Sequence, residues 1–112
     1  MIVFNSENDI KELEPDFAQM ANIDVLGVIA TAPGDKVDFV SRFFAPNAGI
    51  NEDPVTGSAH CMLIPFWAKR LNKNDLSAIQ LSKRVGKLTC SYKGDRVEIA
   101  GQAITYLTGE IY

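Results

Sequence analysis

The sequence predicts an α+β domain in which a mixed, mainly antiparallel sheet wraps around one central apolar helix. Three observations carry this expectation. Residues 58–71 are apolar at nine of fourteen positions, with charges only at Lys69 and Arg70, the pattern of a helix buried on all sides. Short β-branched runs alternate with turn residues on both sides of it. At 112 residues, with 46% hydrophobic and 22% charged residues, the chain is one ordinary globular domain, 1–112, with a core that needs no disulfide or metal.

Taken in order, Met1 to Phe4 reads as a short strand. Residues 7–21 carry Ile10, Leu13, Phe17 and Met20 at helical spacing, and Pro15 divides them into two short helices. Asp24 to Ala32 is a strand, Pro33-Gly34-Asp35 a turn, and Lys36 to Phe44 the return strand of a hairpin. Residues 45–57, rich in proline, glycine and Asn or Asp, form a loop of the length that compact domains keep for function. The apolar helix Ser58 to Leu71 follows, with a kink expected at Pro65. Strands are then expected at Ala78 to Arg84, Lys87 to Tyr92, Arg96 to Ala100 and Gln102 to Tyr112, for six or seven in all.

Composition excludes several classes. A net charge of −3 with scattered basic residues does not fit a binder of nucleic-acid phosphates. No basic stretch leads into an apolar run at the N-terminus, and Met62 to Trp67 is too short to cross a bilayer, so no membrane partner and a cytoplasmic setting are expected. Cys61 and Cys90 make neither a disulfide framework nor a zinc site, and both read as free buried thiols. With one histidine, no metal site is expected.

The candidate site is Glu52-Asp53-Pro54-Val55-Thr56-Gly57-Ser58-Ala59-His60. A loop that feeds a helix leaves unpaired N–H groups at the positive end of the helix dipole, a place for a small carboxylate or phosphate. Asp53 is a candidate proton-transfer group or, on the blander reading, a cap. Its neighbour Glu52 would raise an acid's pKa only if the two faced one crevice. Gly57 leaves room for a ligand to approach, and Ser58 reads as either a cap or a ligand contact. His60 is a candidate acid or base on the first helical turn.

Arg42-Phe43-Phe44-Ala45-Pro46, the Glu52–His60 segment and Phe66-Trp67 together resemble the C-terminal half of the phenazine-biosynthesis PhzF-like family. Leu13-Glu14-Pro15-Asp16-Phe17, Gln80-Leu81-Ser82-Lys83-Arg84 and Gly101-Gln102-Ala103 extend the likeness over nearly the whole chain. The resemblance implies one half of a diaminopimelate epimerase-like fold, in which two similar lobes enclose the active site. It implies isomerisation of a small carboxylate-bearing metabolite in a biosynthetic process, by proton abstraction and return without cofactor. By position, Asp53 falls where epimerase relatives carry a catalytic cysteine, and Thr56, Gly57 and Ser58 match residues that hold the substrate carboxylate. Family members also use a glutamate from their first half, which nothing in these 112 residues resembles. The expected partner is therefore a second copy in a homodimer, or a separate chain supplying the first half. The alternative is a non-catalytic module that binds a small carboxylate. Val85 departs from the pattern, since relatives commonly carry a glycine pair after the arginine.

Overall fold

A computed structural model describes residues 1–112. Six strands lie side by side in chain order: β1 (Ile2–Val3), β2 (Val28–Pro33), β3 (Phe39–Phe44), β4 (Asp75–Gln80), β5 (Gly86–Tyr92) and β6 (Val97–Ala100). β2–β3, β4–β5 and β5–β6 pair antiparallel, whereas β1–β2 and β3–β4 pair parallel. The sheet is mixed and mainly antiparallel, in an α+β architecture.

Each parallel pair needs a crossover, and the helices supply them. α1 (Glu7–Lys11) and α2 (Phe17–Met20) bridge β1 to β2, and α3 (Gly57–Leu71) bridges β3 to β4. Both crossovers advance the same way across the sheet but leave from strands running in opposite directions. Crossovers of one hand must then lie on opposite faces, and the packing shows that they do. The period-2 alternation of β2 and β3 sends Ile29, Thr31 and Phe39 towards α3 and Ala30, Ala32, Val40 and Phe44 towards α1 and α2.

Pro15 does divide two short helices, and each carries its own cap. The Ser6 side chain accepts from the Asp9 amide while Asp9 accepts from the Ser6 amide, a capping box; Asp16 accepts from the Gln19 amide. Ile10 is the buried anchor of this face. On the other face Leu63, Ile64 and Trp67 of α3 pack with Phe39, Leu76, Ala78 and Cys90. The Trp67 indole stacks on Phe39 and donates to Thr31 Oγ1 at 3.0 Å.

Several expectations are corrected. The sheet does not surround α3. The helix covers one face and keeps an outer side, with Met62 57% exposed and Cys61 also exposed, so only Cys90 is a buried thiol. Burial pushes the Cys90 thiol up to about 11. β4 begins at Asp75 and ends at Gln80, because Asp75 and Ser77 point outward between buried Leu76, Ala78 and Gln80. Residues 24–26 are bends and Gly27 is irregular, so β2 starts only at Val28; the Asn47 side chain donates to the Ile23 and Val25 carbonyls. Gln102 to Tyr112 form no strand. They pair with neither open edge of the sheet, and all of them are exposed. No helix is long and apolar enough to cross a membrane.

Candidate functional site

The loop between β3 and α3 is tied down along its length. Ala45 and Ile50 form an isolated antiparallel bridge, the Asp53 amide donates to the Phe43 carbonyl at 3.0 Å, and Ser82 Oγ donates to the Pro54 carbonyl at 2.7 Å. Glu52 turns back across the sheet to Arg42. The pair is two-pronged, Nε to Oε1 at 2.7 Å and the second guanidinium nitrogen to Oε2 at 2.9 Å, while Arg42 also donates to the Ile10 and Leu13 carbonyls. Glu52 and Asp53 therefore splay apart. Glu52 joins the loop to α1, and the two acids share no crevice.

Asp53 is held by a short network centred on Gln80, the last residue of β4. Fully buried Gln80 accepts the Thr56 amide at 2.8 Å and donates to the Asp53 carbonyl at 2.8 Å and to Thr56 Oγ1 at 3.1 Å. With that hydroxyl's acceptor role taken, Thr56 donates its proton to Asp53 Oδ2. Asp53 Oδ1 has no hydrogen-bond partner. One side-chain amide thus fixes the N-cap residue of α3 and, through it, the orientation of the carboxylate.

Thr56 is the N-cap of α3, but its side chain is engaged with Asp53 and caps nothing. Ser58 is the second helical residue, exposed, and does not cap either. The amides of Gly57, Ser58 and Ala59 consequently make no hydrogen bond within the chain. They stand at the positive end of a 15-residue helix. A Cβ built on Gly57 would meet nothing within 4 Å, so the approach to these donors is open.

Asp53 and Gly57 line one side of a groove of about 770 Å³. Its other walls are Arg84 to Leu88, from the turn after β4 into β5, and Ile99 to Gln102 at the end of β6. Gly86 lets this wall close in, since a Cβ there would lie 2.8 Å from Val55. Arg84 and Lys87 form no ion pair with an acidic side chain, and they face the same groove as Asp53.

His60 does not reach the groove. It is fully buried beneath the first turn of α3, beside Phe39, and its Nδ1 lies 2.8 Å from the Thr56 carbonyl. Burial lowers its pKa below the usual histidine value, so the ring is neutral near pH 7. The carbonyl can only accept, which assigns the proton to Nδ1 and leaves Nε2 without a partner in the core. The geometry corrects His60 from a candidate acid or base to a residue that braces the N-cap from behind. No three His, Cys, Asp or Glu side chains converge anywhere in the fold.

The sequence singled out Asp53, Thr56 and Gly57, and all three belong to this arrangement. Gln80, Arg84 and Lys87 were not assigned to it, because strand pairing brings them to the loop from 24 or more residues away. Gln80 carried one local sign: it is the amide that closes a strand of otherwise apolar inward positions.

A mixed sheet whose crossover helix begins beside a fixed carboxylate defines an α+β domain with its candidate site at the start of α3. The chain belongs to the PhzC-PhzF family of phenazine biosynthesis-like proteins, whose family model matches residues 1–109. It is 53% identical to one uncharacterized isomerase of Pseudomonas aeruginosa over 99% of its length, and 48% identical to another over 100%. A human phenazine biosynthesis-like domain-containing protein is 44% identical over 78% of the chain. The crystal structure of a PhzF family protein from Enterococcus faecalis superposes with a TM-score of 0.90 at 52% identity, covering 98% of this chain and 43% of that one. A PhzC/PhzF protein from Clostridium difficile gives 0.87 at 44% identity, with the same coverage. The chain spans 42% and 43% of the two Pseudomonas relatives and corresponds to the C-terminal half.

Proposed function

We propose that the groove is the C-terminal half of a two-lobed isomerase site, in a diaminopimelate epimerase-like arrangement, acting on a small carboxylate-bearing metabolite. The observation that carries this reading is the meeting, in one groove, of Gly57, the first of three residues with unpaired amides at the start of α3, and a carboxylate with one free oxygen. The backbone amides at the start of α3, Gly57 first, donate to the substrate carboxylate, assisted by the helix dipole. Asp53 Oδ1 takes a proton from one carbon; the electron pair moves through the adjoining unsaturated system, and the proton returns at another carbon. Thr56 holds the acid in place, and Gln80 holds Thr56. No cofactor is required for such a transfer. The second wall of the site, with a further acid or base, comes from a facing lobe.

Isomerisation by proton shuttling leaves an isotopic record. The chain is incubated in D2O with a panel of small unsaturated and α-amino carboxylates, and deuterium in the recovered compounds is read by mass spectrometry. The parent incorporates deuterium into at least one, and Asp53→Asn lowers the rate by about 10²-fold or more while keeping carboxylate affinity. Equal incorporation by the two proteins removes Asp53 from the mechanism. Carboxylate binding without any incorporation reduces the groove to a non-catalytic binding module.

A further inference from the structure

Three charged residues line the groove: Asp53, Arg84 and Lys87. Its lining is therefore net positive on a chain whose net charge is −3. Proton transfer at Asp53 and carboxylate binding at the start of α3 leave the cationic wall without a task.

Arg84 is held at that wall from both sides. Before it, Ser82 Oγ donates to the Pro54 carbonyl at 2.7 Å. After it, Gly86 packs so closely on Val55 that a Cβ there would lie 2.8 Å away. Both contacts are made to the loop that carries Asp53, so the turn and the loop form one piece. The Arg84 guanidinium itself has no such tie. Arg42 is engaged with Glu52 and two backbone carbonyls, and Arg70 lies over Phe66 and Trp67. Arg84 makes no ion pair and covers no aromatic ring.

An exposed arginine is stable while water solvates it. A ligand that fills the groove removes that water, and a guanidinium covered without an anion is costly. A carboxylate on the α3 amides sits at the other wall and leaves Arg84 unpaired. At about 770 Å³ the groove has room for a ligand that reaches both walls, since pockets for whole small molecules run to ~300–1,000 Å³. The rest of the lining includes apolar Val55, Val85, Leu88 and Ile99, which suits hydrocarbon between two charged ends.

We infer that Arg84 binds a second anionic group, so that the substrate is a carboxylate with a further carboxylate or phosphate at its far end. This rests on the reading above for the first carboxylate. The planar fork of the guanidinium donates paired hydrogen bonds to either kind of oxyanion. The probes are succinate, glutarate and adipate, each beside its half-amide, and 3-phosphonopropanoate beside the half-amide of succinate. Each is titrated at one ionic strength into the 15N-labelled chain. The Gly57 amide resonance reports the first carboxylate, and the Arg84 Nε–H resonance reports the second group. At least one doubly anionic probe binds about fivefold more tightly than its half-amide, the upper range for an exposed ion pair, and shifts both resonances. Whether a diacid or the phosphonate binds best distinguishes a carboxylate from a phosphate at the far end. Arg84→Gln removes no ion pair within the chain. It brings the tight probe down to the affinity of its half-amide and leaves the half-amide unchanged. Lys83→Gln makes the same charge change one residue away, outside the groove lining, and keeps the preference. Equal binding of every probe and its half-amide overturns the role of Arg84 while the α3 site stands, as does loss of the preference in Lys83→Gln. A Gly57 amide that no probe moves removes the α3 carboxylate site, and the second-anion site with it.

Discussion

At the scale of single residues, Val85 shows how a local departure leaves a physical trace. It adopts φ +55°, the left-handed region that disfavours side chains and penalises β-branched ones most. The turn from β4 to β5 dictates this conformation, with the Val85 amide donating to the Ser82 carbonyl at 3.0 Å. Val85 is half exposed, so little apolar burial offsets the strain. Left-handed backbone costs a non-glycine residue about 1–2 kcal/mol, whereas glycine adds about 0.4–1 kcal/mol of unfolded-state entropy. Val85→Gly is therefore expected to stabilise the fold by about 0.5–1 kcal/mol, seen as a higher urea midpoint at unchanged slope. A lower midpoint would show that the turn is not strained. The contrast with Asp53 is instructive. There the backbone is unremarkable, and the specialised feature is the Gln80–Thr56 network that leaves one carboxylate oxygen free.

At the scale of elements, α3 joins core and site through His60. Its neutral ring bridges the first turn to Phe39, and protonation would place a charge in the core. The folded pKa is depressed by burial, so between that value and the unfolded value near 6.5 the unfolded chain binds more protons. Stability contributed by neutral His60 is thus full above about pH 6.5 and falls as the pH drops, by up to ~1.4 kcal/mol per unit. His60→Asn should flatten the loss between pH 7 and 5 in urea titrations; an unchanged slope would place the acid sensitivity elsewhere. Element types were legible where pattern and packing agree. The alternation of β2 and β3 and the apolar run of α3 were sufficient, as was the break at Pro15. Failures share one cause, a dependence on distant partners. The run 102–112 is as strand-like as β5 but pairs with no strand, and Asp24 to Gly27 leads straight into β2 yet stays outside the sheet, with Asn47 donating to the Ile23 and Val25 carbonyls. In the site, Asp53, Thr56 and Gly57 lie within five residues and were readable together. Gln80, Arg84 and Lys87 arrive only through the β3–α3–β4 crossover and the β4–β5 pairing, which no local pattern encodes.

At the scale of the whole molecule, the two apolar clusters are mutually dependent because they share strands. Ile29 and Phe39 face α3, whereas their immediate neighbours Ala30 and Val40 face α1 and α2. Neither cluster can dissolve without disturbing the backbone that positions the other. Arg42 adds a polar tie across the same region, holding Glu52 of the site loop and the Ile10 and Leu13 carbonyls at once. The molecule should therefore unfold as one cooperative unit. Ile10→Ala provides the test, since Ile10 is fully buried on the face away from the single tryptophan. Truncation there should cost about 2–5 kcal/mol. Trp67 fluorescence, which reports the α3 face, and far-UV circular dichroism, which reports the whole backbone, should shift together to the same lower midpoint. If the fluorescence transition stayed at the parental midpoint while the dichroism moved, the two faces would be separate folding units. The site loop would then be anchored by α3 and β4 alone, with the α1 face free to open without disturbing Asp53.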